Sequence, residues 1–140
     1  MTDLVIAASV AIKWVVDEDG TRVALSLLRH RLFAPELLAA ECANVLWKKT
    51  RRSELTPEEA GVAARLLQRA DIELAPMRAL LAPAAELAIE LDHAAYDCIY
   101  LALAEALSCD LVTADYKLSA KTLPTGYKAK VLGLTTSTLP

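Results

Sequence analysis

The chain has 140 residues, 55% of them hydrophobic, and a formal net charge of −3 at pH 7. This length is typical of one domain with a substantial core. The negative net charge argues against electrostatic binding of nucleic acid over a broad surface. Prolines and glutamates interrupt the apolar runs, so none reaches the ~18 residues of a membrane span. We expect residues 1–140 to form a single cytoplasmic domain with no membrane partner, since residues 1–3 lack the basic start of a signal peptide.

The first predicted element is a buried strand over residues 4–8, which are all apolar and include β-branched side chains. A strand that is apolar on both faces belongs in the middle of a parallel sheet, and its carboxyl end opens onto the crevice where such sheets bind ligands. Ser9 is predicted to cap a short helix that follows. This strand ends in Ala7 and Ala8, without a charge.

Strands and helices alternate along the rest of the chain, which predicts an α/β domain with a mostly parallel sheet of four to five strands. Pro35 is predicted to begin a helix, and Pro83 to break or restart one. The further strands are expected at residues 32–35, 71–75, 110–113 and 130–132, and a turn at 124–126. The helices are expected at residues 22–31, 36–52, 56–69, 77–91, 97–107 and 117–121.

Three acidic residues are candidates for chemistry. Glu41 lies on the apolar stripe of its predicted helix with Asn44 nearby, and a carboxylate rarely faces a core without a partner. Asp97 and Asp115 are either ordinary helix caps or members of a site. In a parallel sheet, the end of the fourth strand, where Asp115 and the hydroxyl of Thr113 lie, faces the same crevice as the end of the first.

Clustered carboxylates repel one another and require a cation. Oxygen ligands without His or Cys suit Mg²⁺ or Mn²⁺, and such ions typically serve phosphodiester hydrolysis. Cys42, Cys98 and Cys109 have no zinc spacing and are predicted to be free thiols. His30 and His93 are interpreted as structural or exposed.

Four segments, in this order and spacing, resemble the PIN domain of VapC-type toxins. They are residues 5–14 (VIAASVAIKW), 34–47 (APELLAAECANVLW), 96–104 (YDCIYLALA) and 111–115 (LVTAD). The resemblance implies a three-layer α/β/α fold and a Mg²⁺- or Mn²⁺-dependent endoribonuclease. It also implies a homodimer and a VapB-type antitoxin that blocks the site, with operator DNA bound only through the antitoxin complex.

Carried over by position, the resemblance makes Glu41, Asp97 and Asp115 the catalytic and metal-binding acids, with Glu41 acting directly or through water. It makes Ser9, Asn44 and Thr113 accessory residues. Three basic residues, Arg51, Arg52 and Lys117, are candidates for the RNA path.

The sequence departs from this family at one position, because Ala7 stands where the family has a metal-binding Asp at the end of the first strand. We therefore expect an inactive or strongly impaired nuclease. An engineered Asp→Ala replacement would explain Ala7, and so would a natural member that binds antitoxin or RNA without cutting. A receiver-like signalling domain fits less well, because the first strand lacks paired acids.

Overall fold

The computed structural model describes residues 2–122, 127–135 and 139–140. Its strands are β1 (Asp3–Ile6), β2 (Arg31–Pro35), β3 (Glu73–Ala75), β4 (Asp110–Thr113) and β5 (Val131–Gly133). Its helices are α1 (Ala8–Ala11), α2 (Thr21–Ser26), α3 (Leu37–Arg51), α4 (Pro57–Gln68), α5 (Leu81–Leu91), α6 (Ala95–Leu107) and α7 (Tyr116–Thr122). Short 3₁₀ turns at Ile12–Trp14, Leu27–Arg29 and Arg78–Leu80 extend α1 and α2 and precede α5. The turn expected at residues 124–126 lies outside the described residues.

The five strands form one sheet in the order β3-β2-β1-β4-β5, and every neighbouring pair is parallel. Val5 of β1 lies opposite Phe33 of β2 on one side and Leu111 of β4 on the other. This confirms the predicted α/β class and the central position of the first strand.

Helices cover both faces of the sheet. Parallel strands are joined by right-handed crossovers, so the connections from β1 to β3 lie on one face and the return through α5 and α6 lies on the other. The contacts agree with this, since α6 packs on β1, β2 and β4 and carries α5, while α3 packs with α1, α4 and β2. The result is the three-layer α/β/α arrangement.

The core is built around β1, whose residues Leu4, Val5 and Ile6 have no solvent exposure. Burial on both faces explains why this strand reads as a continuous apolar run. The second large contribution comes from α6, where six of the seven residues from Cys98 to Ala104 are buried and Ile99 is half-buried.

Three local predictions were wrong. Ala7, and not Ser9, is the N-cap of α1, because the helix begins two residues earlier than expected. Pro35 ends β2 opposite Ala75 and α3 begins only at Leu37. Pro83 does not break α5, because it is the third helical residue, where the backbone N–H has no partner within the helix in any case.

Within the described residues, no helix is both long enough and apolar enough to cross a bilayer.

Candidate active site

The candidate site lies where the direction of the sheet changes. From β1 the chain goes to β2 on one side, whereas β4 lies on the other side of β1, so the helices after β1 and β4 leave towards opposite faces. This is the topological switch point at which open parallel sheets bind their ligands. The amide of Ala7 donates to the carbonyl of Val112 over 3.0 Å and so joins the ends of the two central strands.

Ala7 is the N-cap of α1, with extended backbone angles of φ −76° and ψ 157°. Its carbonyl accepts hydrogen bonds from the amides of Val10 and Ala11, but its methyl group provides no side-chain cap. The end of β1 therefore contributes neither charge nor a polar side chain to the crevice.

Two hydroxyl groups order the turn after β4. The Ser9 hydroxyl accepts a hydrogen bond from the Ala114 amide at 3.0 Å and lies 3.4 Å from the hydroxyl of Thr113. The Thr113 hydroxyl in turn accepts from the Asp115 amide at 3.0 Å. These contacts fix the backbone on which Asp115 sits, and Thr113 itself is buried.

Asp115 acts as the cap of α7. Its Oδ1 accepts a hydrogen bond from the Lys117 amide at 3.0 Å, and the helix begins at Tyr116. One carboxylate oxygen of Asp115 therefore serves as an ordinary helix cap. Asp115 is only half-buried, and its other oxygen makes no hydrogen bond with the described residues.

Asp97 lies close enough to Glu41 to affect the ionisation of the Glu41 carboxyl. Burial raises the pKa of the Glu41 carboxyl, interaction with the Tyr100 hydroxyl lowers it in part, and the nearby charge of Asp97 raises it again. The buried Tyr100 hydroxyl makes no hydrogen bond of ordinary geometry in the described structure. Burial and the nearby Glu41 carboxyl both raise the pKa of this hydroxyl. Glu41 is thus half-buried, and the charge of Asp97 lies near it.

His93 is a part of this site that the sequence analysis missed. Its Nε2 lies 2.7 Å from Oδ2 of Asp97, and its side chain is only 8% exposed. Asp97 is in the first turn of α6, and it is not the N-cap, because the helix begins at Ala95. The spacing of four residues between His93 and Asp97 could have indicated this contact. It does so only if α6 begins early enough to bring the two side chains together.

The described side chains do not form a complete metal site. No group of three or more His, Cys, Asp or Glu side chains among residues 2–122, 127–135 and 139–140 is arranged to hold a metal ion. Glu41 and Asp97 come together, while Asp115 joins Ser9 and Thr113, and Asn44 is exposed on α3. The donors suit Mg²⁺ in kind, but as the chain stands with Ala7 they do not fit it in number.

The predicted RNA-path residues lie on the surface. Arg51 is the last residue of α3, Arg52 is the C-cap of that helix and Lys117 is the second residue of α7. All three are exposed. The guanidinium of Arg51 lies 5.1 Å from the ring centroid of Trp47, whose side chain is also exposed. No ion pair to Arg51, Arg52 or Lys117 occurs within the part of the chain that the structure describes.

The family is established by comparison with known proteins. The PIN domain model matches residues 4–122, so the chain belongs to the PIN domain family. Two ribonucleases, VapC ribonuclease Mb0985 of Mycobacterium bovis and ribonuclease VapC9 of Mycobacterium tuberculosis, are each 33% identical to the chain over 116 residues. These alignments cover 83% of this chain and 88% of each relative.

Solved structures show the same fold. PAE2754 from Pyrobaculum aerophilum matches with a TM-score of 0.70 and 24% identity over 95% of this chain and 90% of its own. VapBC2 from Rickettsia felis, bound to a DNA fragment from its promoter, matches with a TM-score of 0.66 and 16% identity over 94% and 98%. VapC20 of Mycobacterium tuberculosis, a sarcin–ricin loop cleaving toxin, gives 0.66 and 15% over 89% and 95%.

We predict that Ala7→Asn stabilises the protein by about 1 kcal/mol, because an amide oxygen at this N-cap accepts from an orphan amide of α1. In EDTA, Ala7→Asp is expected to be less stable than Ala7→Asn, because its carboxylate joins other acids at the crevice. The dipole of the four-residue α1 offers little compensation. Urea denaturation of the three proteins in EDTA measures both differences, and an Asp variant as stable as the Asn variant would contradict the clustering of acids.

We predict that Glu41→Gln changes the pH dependence of stability. A raised pKa means that folding favours the protonated carboxyl, so the stability penalty grows as the pH rises above the unfolded pKa and is complete above the folded pKa. Glu41→Gln should therefore be the more stable protein at pH 7 by a fraction of a kcal/mol, and this gain should vanish below pH ~4.5. The matched control is Glu36→Gln, at an exposed Glu beside the same helix, which should give no comparable gain in stability at pH 7. An equal gain for both variants would refute the burial of charge at Glu41.

Proposed function

We propose that this chain is a VapC-type toxin whose substrate is the phosphodiester backbone of RNA, and that Ala7 leaves it inactive or strongly impaired. The observation that carries this proposal is the proximity of the Glu41 and Asp97 charges, together with an uncharged N-cap at the end of β1. The two ribonuclease relatives at 33% identity support the substrate class.

In this proposal, Glu41, Asp97 and Asp115 are the catalytic acids, and Mg²⁺ or Mn²⁺ is the cofactor. A carboxylate at position 7 completes the ligand set. Ser9 and Thr113 support it by fixing the turn before Asp115, and Asn44 is a polar neighbour on α3. Because the described residues of this chain do not make up a metal site, we derive no catalytic step for the Ala7 form.

A VapB-type antitoxin is the proposed protein partner, and operator DNA is bound only through the complex with it. The structure of VapBC2 with promoter DNA supports this assignment by similarity of fold. An apolar groove of about 360 Å³ between α3 and α4 offers a surface for a protein partner, with Leu38, Leu46, Leu67 and Leu74 among its lining residues. We further propose that the protein is a cytoplasmic homodimer.

A second candidate function is a PIN-like module that binds antitoxin or RNA without cleaving. Two observations favour it for this chain: the missing polar group at Ala7, and the absence of a metal-ligating cluster in the described residues. The two proposals share the fold and the partners. They differ in whether a single carboxylate at position 7 restores cleavage.

The RNA path of either candidate runs along the exposed basic residues. Three basic residues follow Glu41 along α3, namely Lys48, Arg51 and Arg52. The spacing of four residues between Lys48 and Arg52 places these two on nearly the same face of the helix. Arg52 lies about 16 Å from Glu41 along the axis, at ~1.5 Å per residue. Lys117, two residues after Asp115, belongs to a second part of the proposed RNA path. Such contacts to phosphates give affinity without reading sequence.

We predict that Ala7→Asp gains metal-dependent cleavage of RNA. With Mg²⁺ or Mn²⁺, its rate should exceed that of the Ala7 chain by at least ~100-fold, because the loss of a direct ligand costs more than the ~10–100-fold of a supporting residue. Cleavage of a structured RNA, resolved on a denaturing gel with and without EDTA, measures the rates.

The matched control is Ala7→Asn, which has the same size and caps α1 but carries no charge, and it should stay inactive. Ala7→Asp/Asp97→Asn should lose the gained activity. An Ala7 chain as active as Ala7→Asp would refute the impairment. If Ala7→Asp cuts no RNA and EDTA changes nothing, the nuclease proposal fails and the binding module remains.

We predict that Arg52→Gln and Lys117→Gln each weaken binding of single-stranded RNA to the Ala7 chain, in which cleavage does not interfere. Each variant should also lower the slope of log K against log salt by roughly 1, because one phosphate contact is lost. Fluorescence anisotropy at several salt concentrations measures this. Arg69→Gln, an exposed Arg at the end of α4, is the control, and an equal effect of this control would refute a localised path.

A further inference from the structure

An exposed tyrosine adjoins the candidate site at the end of β4. Tyr116 directly follows Asp115 and is 57% exposed. The aromatic side chains that are exposed among residues 2–122, 127–135 and 139–140 are Trp47, Tyr96 and Tyr116. An aromatic ring contributes most when it is covered, so an exposed ring next to a site is a candidate contact for a ligand.

The ring of Tyr116 lies against the last residue of β5. A Cβ atom added to Gly133 would lie 2.7 Å from Cε1 and 3.3 Å from Cδ1 of this ring, and the first of these distances is shorter than real Cβ atoms allow. Gly133 does not have a positive φ. The close approach of the ring, and not the backbone conformation, therefore requires a glycine at this position.

Two hydrogen bonds hold α7, the helix that carries this ring, against the rest of the protein. The Ser119 hydroxyl donates to the carbonyl of Val131 in β5 at 3.1 Å. Lys121 Nζ donates to the carbonyl of Asp92, the residue after α5, at 2.6 Å. The Tyr116 ring thus has one side against β5 and belongs to an anchored helix, so a flat ligand can bind to it at a small cost in conformational entropy.

The ring lies at the same edge of the sheet as the end of β4. Gly133 pairs with Thr113 in parallel register, and neighbouring strands are ~4.8 Å apart. The Thr113 hydroxyl accepts a hydrogen bond from the Asp115 amide. The glycine that makes room for the Tyr116 ring and the turn that carries Asp115 are therefore at the ends of adjacent strands.

We propose that Tyr116 is a stacking platform for one unpaired base of a single-stranded RNA, with Lys117 beside it for a neighbouring phosphate. This proposal rests on the RNA substrate of the proposed function and deepens it by assigning a contact to a base. Single-stranded RNA presents unstacked bases, and these bind to exposed aromatic rings. Because every base has an aromatic face, the contact adds affinity with little selection of sequence.

The charges next to the ring favour a base as its occupant. Asp115, directly before the ring, is half-buried, and its carboxylate repels a phosphate but not an uncharged base. Lys117, directly after the ring, is exposed and forms no ion pair in the part of the chain that the structure describes. It can therefore attract the phosphate of an adjoining nucleotide. A nucleotide strand offers this combination of uncharged rings and anionic groups.

Binding of RNA to the Ala7 chain in EDTA tests the platform without cleavage. Tyr116→Leu should weaken binding of a labelled, ~10-nucleotide single-stranded RNA by about 5-fold or more, the contribution typical of one base stacked on an aromatic side chain. Tyr116→Phe keeps the ring and should bind like the unmodified chain. Fluorescence anisotropy measures these affinities. The salt dependence of binding should be the same for Tyr116→Leu and the unmodified chain, because no phosphate contact is lost.

Two further comparisons separate stacking from an indirect effect. Tyr116→Leu and the unmodified chain should bind abasic RNA of the same length equally, because no base is left to stack. Gly133→Ala should weaken binding of the ordinary RNA, because the added methyl group displaces the Tyr116 ring. Gly61→Ala is the matched control and should bind normally, because a Cβ atom at Gly61 would make an ordinary contact with the Arg65 side chain at 3.4 Å.

Unchanged affinity of Tyr116→Leu for the ordinary RNA overturns the platform and leaves the exposed ring to a protein partner. An equal loss in Tyr116→Phe also overturns it, because the hydroxyl would then hold the RNA, and so does an equal loss with abasic RNA. If the unmodified chain binds no RNA, the RNA substrate of the proposed function fails together with the platform. Cleavage by Ala7→Asp decides the nuclease proposal separately, since none of these binding measurements depends on it.

Discussion

The burial of β1 between β2 and β4 is the constraint on which the structure depends. Leu4, Val5 and Ile6 are fully shielded from solvent and pair with parallel neighbours on both sides. The strand at the centre of the core therefore also defines the switch point at its carboxyl end. Ala7 is fixed there by its hydrogen bond to Val112, so the side chain at position 7 has a fixed location at the mouth of the crevice.

Apolar packing partly buries one acidic side chain of α3. Glu41 lies in the apolar stripe of α3, and its burial and the nearby Asp97 both act against ionisation. A cluster of acids of this kind is costly unless a cation or hydrogen-bond donors offset it. Here the partners are His93 beside Asp97, the α7 amide beside Asp115 and the Tyr100 hydroxyl near Glu41. The candidate site is thus stabilised by the protein's own groups.

Much of the fold could be predicted from the sequence, because the alternation of apolar strands and amphipathic helices is local information. The central strand and the parallel sheet follow from residue periodicity alone. The start of α1 could not be predicted in this way, since Ser9 is a good cap residue and its hydroxyl is used instead by the Ala114 amide across the sheet. The contact of His93 with Asp97 was missed because it depends on where α6 begins, which periodicity does not determine to within a turn.

The central claim is that one carboxylate at position 7 separates this chain from a metal-binding member of its family. Calorimetric titration of Mn²⁺ into the Ala7 chain and into Ala7→Asp tests it most directly, without RNA or antitoxin. The account predicts binding at least ~10-fold tighter for Ala7→Asp than for the Ala7 chain, and no such gain for Ala7→Asn. Equal Mn²⁺ affinity of the Ala7 chain and Ala7→Asp would contradict it.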